Sequence, residues 1–599
     1  MSQKEVLKRS QVPVELTWDT TTIFESDAAW EQSFTAAENA LNEAASYKGK
    51  LAKSAKGLLK ALEYRNHVVQ LVEHLYSYAH LKSDEDTANT LYQGFQSRAR
   101  SLYSKLASEL SYYDTELLEA DEALLRSYLK EDSLKIYTHE FEILFQRRAH
   151  ILSDKEENLL AQASEVLGAA GQTFSILNNA DLKLPEILGE NGEKVQLSQG
   201  RYGLFLESKD RQVRENAFKA MYATYGAFKN TFASTLTTNV KAHNFNARVR
   251  GFKSAREAAL FSNHIPESVY DALVSAVNEG TPLLQRYVAL RKKILKLPDL
   301  RMYDLYVPMV DDVELKFTYE EAQEIILKAL AVLGDDYVSH LKEAFKNRWI
   351  DVLENTGKRS GAYSSGSYNT NPFILLNWQD NLDNVYTLAH ELGHSLHSFY
   401  TRKTQPFIYG DYSIFVAEVA STTNENLLTA YLLKQFKDPK VQAYILNHYL
   451  DGVKGTVYRQ TQFAEFEHFI HTADASGVAL TSDALSTKYN EINTRYYGPE
   501  MTYDAEIATE WARIPHFYYN YYVYQYATGF SAASALAYKI LNDGDKAVQN
   551  YLSFLKAGSS VTPIEALKIA GVDMSSNQAT LDALKLFKQR LDEFEALIQ

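Results

Sequence analysis

Cysteine is absent from the 599 residues, and this absence removes several kinds of site at once. Disulfides, thiolate metal sites and a cysteine nucleophile are all excluded. Proline and glycine are also scarce, at 12 and 26 residues, which favours long helices over turn-rich β structure. We therefore predict a mostly α-helical protein, and the length allows a sizeable core.

Basic residues are in the minority, because 62 Lys and Arg stand against 76 Asp and Glu and the formal net charge is -14. No basic run suited to following a phosphate backbone occurs, so nucleic acid and anionic membranes are not expected as partners. Apolar runs of the roughly 20 residues that a membrane helix needs are also missing, and the first residues lack a signal-peptide pattern. These absences predict a soluble, cytoplasmic protein.

Helical periodicity is the dominant pattern along the chain. Apolar residues recur at three- and four-residue steps in the stretch 58–76 and again from residue 90. Ser153 with Glu156 three positions later has the capping-box pattern of a helix start. A very long helical stretch is predicted from about Ser208 to Arg250.

Two short regions interrupt the helical pattern. Asn191-Gly192, between short alternating segments, predicts a β-hairpin and a domain boundary. Residues 349–378 hold two strand-like apolar segments around a loop rich in Gly, Ser and Asn. We predict an N-terminal helical domain over residues 1–200 and a catalytic domain over residues 201–599.

The stretch DNVYTLAHELGHSLHSFY, residues 383–400, has the spacing of a metal site. On a helix His390 and His394 lie one turn apart, so both imidazoles can reach one ion at about 2.0 to 2.1 Å. Glu391 lies about 100° round the helix, where a carboxylate can take a proton from a metal-bound water. A buried helix that only packs its histidines in the core is the alternative.

A third ligand has two candidates. His397 lies two turns from His390, so a straight helix would strain to bring it to the same ion. Glu418 follows His394 by 24 residues, on a helix that can return antiparallel after the loop containing Pro406 and Gly410. We favour Glu418 as the ligand and expect His397 to pack or to support the ligands from behind. Glu425, on the same face as Glu418, is expected to orient a ligand histidine.

The HELGH motif, with Glu418 and Glu425 in FVAEVASTTNE, resembles the thimet oligopeptidase superfamily and most closely its oligoendopeptidase F family. Further landmarks extend the resemblance over nearly the whole chain: LTWDTTTIFESDAAWEQSF, GKRSGAY, PFILLNW, RQTQFAEFEHFIH and RIPHFYYNYYVYQYATG. The resemblance implies a large helical zincin-type zinc endopeptidase with its site in a deep substrate channel between an N-terminal helical part and the catalytic part. Such a channel implies short unfolded peptides as substrates.

The same resemblance implies a substrate-binding segment ahead of the metal motif. The apolar segment Phe373 to Leu376 resembles an edge strand to which a peptide adds by backbone hydrogen bonds. A purely structural hairpin is the alternative. The residues expected to bind substrate there are Gly361, Ala362, Tyr363, Phe373, Ile374 and Leu375.

Aromatic residues crowd the stretch 513–530. If this stretch is helical, His516, Tyr519, Tyr522 and Tyr526 share one face, while Tyr524 points elsewhere. Imidazole and phenol groups can donate to the oxyanion of peptide hydrolysis. The resemblance implies this role for His516 and for downstream tyrosines, although the tyrosine spacing departs from that of thimet oligopeptidase. We expect Tyr522 and Tyr526 to serve catalysis and Tyr519 to bind substrate, with core packing as the alternative.

Another histidine pair, His468 and His471, lies one turn apart, but no further predicted ligand gathers there. We interpret this pair as structural, or as supporting other site residues without binding a metal.

The expected mechanism uses one zinc ion per chain. His390, His394 and Glu418 bind the zinc, which lowers the pKa of a bound water. Glu391 removes the proton from that water and then delivers it to the leaving amine. Cobalt or manganese could also occupy such ligands in vitro.

Three other functions fit the same motifs. An exopeptidase of the superfamily, such as a dipeptidyl carboxypeptidase, would need groups that hold a substrate terminus. A catalytically inactive helical peptide-binding protein is a second alternative, and a purely structural helical protein is a third. Cleavage-site preference and oligomeric state are not encoded by these motifs.

Overall fold

The computed structural model describes residues 6–310, 313 and 315–598, apart from the side chain of Asp154. α-Helices form most of this part of the chain and the strands are short, which confirms the mostly α prediction. In this part of the chain, every helix is too short or too polar to cross a lipid bilayer.

The α-helices are α1 (Asp27–Leu41), α2 (Ala55–Glu85), α3 (Thr90–Leu110), α4 (Tyr112–Glu119), α5 (Glu122–Tyr128), α6 (Thr138–Arg147), α7 (Asp154–Ile176), α8 (Gln199–Glu207), α9 (Arg211–Ala227), α10 (Lys229–Val249), α11 (Ala255–Phe261), α12 (Glu267–Glu279), α13 (Thr281–Ile294), α14 (Tyr319–Ala329), α15 (Asp335–Lys346), α16 (Leu382–Thr404), α17 (Ile414–Gln435), α18 (Pro439–Val453), α19 (Arg459–Ala475), α20 (Ser482–Tyr497), α21 (Tyr524–Asn542), α22 (Asp545–Leu555), α23 (Pro563–Ile569) and α24 (Gln578–Ile598). The strands are β1 (Glu186–Leu188), β2 (Lys194–Gln196), β3 (Leu300–Arg301), β4 (Ile350–Asp351), β5 (Tyr363–Ser365), β6 (Phe373–Leu375) and β7 (Met501–Thr502).

The chain forms two compact units, and each unit is assembled from three separate segments. The first unit contains Met1–Ala149, Leu315–Tyr431 and Leu536–Gly571, and the second contains His150–Glu314, Leu432–Ala535 and Val572–Gln599. The predicted domains 1–200 and 201–599 divide the sequence at one point, so they do not coincide with these interleaved units. The boundary between residues 200 and 201 therefore stays a prediction.

Local signals in the sequence predicted several element boundaries. The hydroxyl and the backbone N–H of Ser153 both bond to Glu156 at the start of α7, as the capping-box pattern predicted. β1 and β2 form the predicted antiparallel hairpin, and Gly192 in its turn has a φ of +76°. The long helical stretch from Ser208 is confirmed, but it is broken at Phe228 into α9 and α10.

A three-stranded sheet precedes the metal-motif helix. β6 is its central strand, parallel to β4 and antiparallel to β5. The side chains of β6 are buried, and Phe373 and Leu375 belong to the apolar core of α1, α2 and α3. The core therefore fixes the position of the sheet in the first unit.

The expectation that Phe373 to Leu376 form an edge strand is wrong. β6 has a partner on each side, so its backbone N–H and C=O groups are used within the sheet and cannot receive a peptide. The edge strand beside α16 is β5, where the Ser364 hydroxyl lies 2.8 Å from the hydroxyl of Ser395. An edge strand next to this helix is thus present, but it is formed by Tyr363 to Ser365.

Candidate functional site

The predicted metal-motif helix is α16 of the first unit. Asn381 caps its start, since the Asn381 side chain accepts a hydrogen bond from the backbone N–H of Asn384 at 2.9 Å. The helix ends at Thr404, two residues before Pro406, which cannot continue a helix. The His-Glu-x-x-His spacing therefore lies on regular helix, as predicted.

Close packing against α17 brings the other acidic residues to the two histidines. A Cβ atom at Gly393 would lie 2.5 Å from the Cα atom of Ser421, so only glycine allows the two backbones to approach this closely. The side-chain amide of Asn424 donates to the carbonyl of Ala389 at 3.0 Å and ties the helices together. This contact places Glu418 and Glu425 next to the histidine pair.

Three side-chain atoms that could bind a metal ion lie close together. The Nε2 atoms of His390 and His394 lie 3.1 Å apart, and Oε2 of Glu418 lies 3.3 Å from the first and 3.6 Å from the second. A tetrahedral zinc ion with bonds of about 2.0 to 2.1 Å needs its ligand atoms about 3.4 Å apart. The residues present therefore fit zinc, and two imidazoles with one carboxylate form a known catalytic zinc ligand set.

Glu425 lies behind His390, the first of the two predicted ligand histidines. Its Oε1 atom is 2.7 Å from Nδ1 of His390, which leaves Nε2 of that ring pointing towards His394 and Glu418. A carboxylate in this position fixes the tautomer and orientation of a ligand imidazole. Glu425 therefore makes the contact that was expected of a residue that orients His390.

The charges around the ligand atoms favour a cation. Burial alone would lower the pKa of His390, but hydrogen bonds with Glu418 and Glu425 outweigh it and raise this pKa to about 10. Burial and the neighbouring His390 lower the pKa of His394 to about 4. The hydrogen bond with His390 lowers the pKa of Glu418, so this carboxylate is ionised near neutral pH. The site thus concentrates negative charge around two ring nitrogens.

Glu391 is buried beside His390 but does not belong to the group that could hold a metal ion. The backbone of Ser364 on the edge strand β5 forms a hydrogen bond with its carboxylate. Burial raises the pKa of Glu391 to about 7; His390 opposes the rise, whereas Glu418 adds to it. A carboxylate that titrates near neutral pH is suited to accepting and returning a proton. Sequence patterns did not indicate the contact with Ser364, because it depends on the register of β5.

His397 is packed away from the ligand atoms. Its ring stacks on Tyr412 with centroids 3.7 Å apart and lies 5.0 Å from the ring of Phe554. Burial lowers the pKa of His397 to about 3, so the ring is neutral. Among the described residues, His390, His394 and Glu418 alone form a group that could hold a metal ion.

The other histidine pair serves the packing of the second unit. Nδ1 of His468 lies 3.1 Å from the hydroxyl of Tyr521. His471 stacks on His243, with 3.1 Å between its Nε2 atom and Nδ1 of that ring. His471 is buried and His468 is half-buried, and both contact neighbouring side chains, which agrees with a structural role.

The segment before β6 contributes a small cavity next to α16. Gly361 and Ala362 line a cavity of about 220 Å³, together with Asn384 and Thr387 of the helix. The hydroxyl of Tyr363 donates to Asp84 at 2.8 Å, so this side chain is held by the fold.

The aromatic stretch 513–530 is not one helix, so the prediction of a shared helical face is wrong. Pro515–Tyr518 is a 3-10 helix, the chain then turns, and α21 begins at Tyr524. Asn520 and Tyr521 take left-handed conformations with φ of 51° and 58°, which ends any regular helix there.

The predicted aromatic side chains nevertheless gather. The ring of His516 lies 5.7 Å from that of Tyr519, 6.2 Å from that of Tyr522 and 5.8 Å from that of Tyr526. The hydroxyl of Tyr526 is 3.5 Å from Nε2 of His516. Tyr524 is buried against Tyr270, in agreement with the prediction that it points elsewhere. We call His516, Tyr519, Tyr522 and Tyr526 the aromatic cluster.

Comparison with known proteins agrees with this geometry. Residues 204–586 match Peptidase family M3, and residues 116–183 match Oligopeptidase F. Oligopeptidase PepF of Bacillus subtilis (strain 168) is 54% identical over 98% of this chain and 88% of its own length. Group B oligopeptidase PepB of Streptococcus agalactiae is 50% identical over 98% of both chains.

A solved structure is similar as well. The crystal structure of oligoendopeptidase-F from Enterococcus faecium matches 96% of this chain and 99% of its own, with 48% identity and a TM-score of 0.74. The family match spans more than half of the chain, and these relatives cover nearly all of it. The chain therefore belongs to peptidase family M3 and is a metalloendopeptidase of the oligoendopeptidase F group.

Proposed function

We propose that the chain is a zinc-dependent endopeptidase that hydrolyses internal bonds of short unfolded peptides. The observation that carries the proposal is the convergence of His390, His394 and Glu418 at the spacing of tetrahedral zinc, with Glu391 buried beside them. The names of the relatives, oligopeptidase and oligoendopeptidase, support short peptides as substrates. A cytoplasmic location and one zinc ion per chain stay predictions.

The roles of the side chains follow from their contacts. His390, His394 and Glu418 would hold the zinc, which when bound acidifies water and polarises a carbonyl. Glu425 keeps Nε2 of His390 directed at that point. Glu391, held by the backbone of Ser364, takes the proton of the attacking water on its carboxylate and passes it to the leaving amine.

Substrate binding is proposed to use β5 rather than β6. β5 is paired on one side only, so a peptide can add as a further strand next to Glu391. Gly361 and Ala362 precede this edge and border the cavity next to α16. Backbone pairing depends little on side chains, which suits an enzyme that accepts many peptide sequences.

We propose that His516, Tyr522 and Tyr526 donate hydrogen bonds to the oxyanion of the same reaction, and that Tyr519 contacts the substrate. The proximity of the four rings and the 57% exposure of Tyr519 support this assignment. Imidazole and phenol donors aimed at developing charge lower the barrier more than they aid ground-state binding.

The test is hydrolysis of a short internally quenched peptide blocked at both ends, with and without a chelator. Glu391→Gln keeps the shape of the side chain but cannot accept the proton, so we expect kcat to fall at least about 100-fold. Zinc content and peptide binding should be unchanged. His390→Ala should lose zinc as well as activity.

Three outcomes would contradict the proposal. Full activity in the chelated wild type would exclude the metal, and full activity in Glu391→Gln would exclude this base. Cleavage of free-ended peptides alone would indicate an exopeptidase.

A further inference from the structure

The turn between the 3-10 helix and α21 is strained. Asn520 and Tyr521 both have positive φ, at 51° and 58°. A residue with a Cβ atom disfavours this conformation, and two in succession persist only when their surroundings hold them. The turn lies between His516 and Tyr522, so its conformation determines whether the aromatic cluster assembles.

One buried carboxyl group holds the backbone of this turn. Oε1 of Glu467, on α19, accepts a hydrogen bond from the backbone N–H of Tyr521 at 2.6 Å. Tyr521 is 3% exposed, so this N–H lacks water as an alternative partner. The Tyr521 ring is enclosed at the same time by His468, His471 and Tyr270.

Burial of the Glu467 carboxyl group carries a free-energy cost. The side chain is 0% exposed, and its Oε2 atom has no hydrogen-bond partner among the described residues. Burial raises the pKa of Glu467 to about 8. A leucine would fill this space without burying a polar atom that has no partner. Stability of α19 therefore does not account for the carboxyl group, whereas the Tyr521 contact does.

Some residues around the turn pack against neighbouring helices, and the residues between them are more accessible. Phe517 packs between Phe463 and Phe466 of α19, and Tyr518 stacks on Phe174 with centroids 4.1 Å apart. Tyr521 is the next anchor, and Glu467 supplies its backbone contact. Because Phe517, Tyr518 and Tyr521 are packed in this way, the rings of His516, Tyr519 and Tyr522 face one another.

We propose that Glu467 is a positioning residue for peptide hydrolysis: by accepting the N–H of Tyr521, it holds the left-handed turn that gathers His516, Tyr522 and Tyr526. This inference rests on the proposed function of those three side chains. Glu467 itself touches neither substrate nor metal in this role. Its effect should therefore appear in kcat more than in KM.

The first experiment compares Glu467→Leu with Glu467→Gln in the full-length zinc enzyme. Leucine removes the acceptor, and we expect kcat to fall about 10- to 100-fold with a smaller change in KM, because a small displacement of donors costs this much. Glutamine keeps a carbonyl oxygen that can accept the same N–H, so it should restore most of the rate. Zinc content should be unchanged in both variants.

Glu465→Leu is the matched control on the same helix. Glu465 bonds to Asn278, Arg495 and Tyr496 and does not touch the turn. If Glu465→Leu and Glu467→Leu lose kcat equally, the effect is general damage to α19 and the inference is wrong. Equal losses in Glu467→Gln and Glu467→Leu would also overturn it.

A second pair of variants tests the turn if Glu467→Leu fails to fold. Glycine adopts positive φ readily, so Asn520→Gly should keep kcat. The β-branched valine disfavours positive φ, so Asn520→Val should lower kcat to the same extent as Glu467→Leu. Because both changes act on one turn, the double variant Glu467→Leu/Asn520→Val should lose less than the product of the two single losses. Full kcat in Asn520→Val would overturn the inference.

His516→Ala, measured in parallel, separates the role of the aromatic cluster from the role of Glu467. Full kcat in His516→Ala would overturn both the role of the aromatic cluster and the role of Glu467. A low kcat in His516→Ala with full kcat in Glu467→Leu would overturn the inference about Glu467 alone.

Discussion

The metal-ligand cluster and the aromatic cluster are built by opposite means. The proposed ligands His390 and His394 lie on one regular helix, and Glu418 lies on the next α-helix along the chain. The aromatic side chains lie on a 3-10 helix, a left-handed turn and the start of α21. Regular helix geometry and the close packing of α16 against α17 bring the first set together, whereas contacts with α19 bring the second set together.

This difference predicts different sensitivities to mutation. The ligand cluster depends on a few donor atoms and on one close approach between helix backbones, so single changes there should remove the metal. The aromatic cluster depends on several anchors around one turn, so single changes there should lower the rate in steps and leave the metal bound.

The largest expected effect is on metal binding. Glu418→Ala should lose stoichiometric zinc because one of three ligands is gone. Glu425→Ala should weaken zinc binding about 10- to 100-fold, since it only orients His390. His397→Ala should keep zinc, because its ring stacks on Tyr412. Metal analysis after dialysis checks this order, and zinc loss in His397→Ala with retention in Glu418→Ala would reverse the ligand assignment.

Substitution of Gly393, where α16 and α17 are in close contact, should have the next largest effect, on both stability and zinc binding. Gly393→Val places carbon atoms where Ser421 now lies, and we expect the free energy of unfolding to fall by about 1 to 3 kcal/mol or more, with weaker zinc binding. Gly94→Ala on α3 is the control, because nothing lies within 4 Å of its added Cβ. That change should be neutral or stabilising by up to about 1 kcal/mol. Denaturant unfolding of both variants checks the contrast.

Loss of a phenol hydroxyl should have a smaller effect. Tyr526→Phe or Tyr522→Phe removes one donor from the aromatic cluster, and we expect kcat to fall about 10-fold or more, with zinc content unchanged. Tyr538→Phe, at an exposed tyrosine of α21, is the control and should keep the wild-type rate. If neither cluster tyrosine affects kcat, these side chains serve packing instead.

The remaining prediction concerns the pH dependence of stability through Glu467, an effect on folding rather than on the reaction. An ordinary glutamate ionises near 4.5, whereas burial raises the pKa of Glu467 to about 8. Between these values the folded chain keeps a proton that the unfolded chain has released, so the free energy of unfolding falls as pH rises. Glu467→Gln has no such proton, and its stability should fall less between pH 5 and pH 8. Thermal unfolding across that range checks the difference, and parallel curves would contradict it.

Short-range chemistry explains which features were predictable. The metal-motif helix, the capping box at Ser153 and the Asn191-Gly192 hairpin depend on neighbours a few residues apart, and each was found as predicted. The first two proposed metal ligands also belong to this class, because one helical turn separates them. The proposed third ligand, Glu418, was less secure from the sequence: an antiparallel return of the next helix suggested it and the resemblance to a known family supported it, because 24 residues of spacing alone do not define a distance.

The sequence by itself determined a helical protein with a two-histidine motif, because periodicity and i, i+4 spacing are local properties of one helix. Only the tertiary structure decided that β5 is the edge strand, that Gly393 lets α17 bring Glu418 to the histidines, and that Tyr521 is left-handed. Each of these depends on segments distant in sequence: the pairing of β4 with β6, the approach of two helices, and the buried Glu467 carboxyl group. No local pattern encodes such contacts, because their free energy arises only when the distant segments meet.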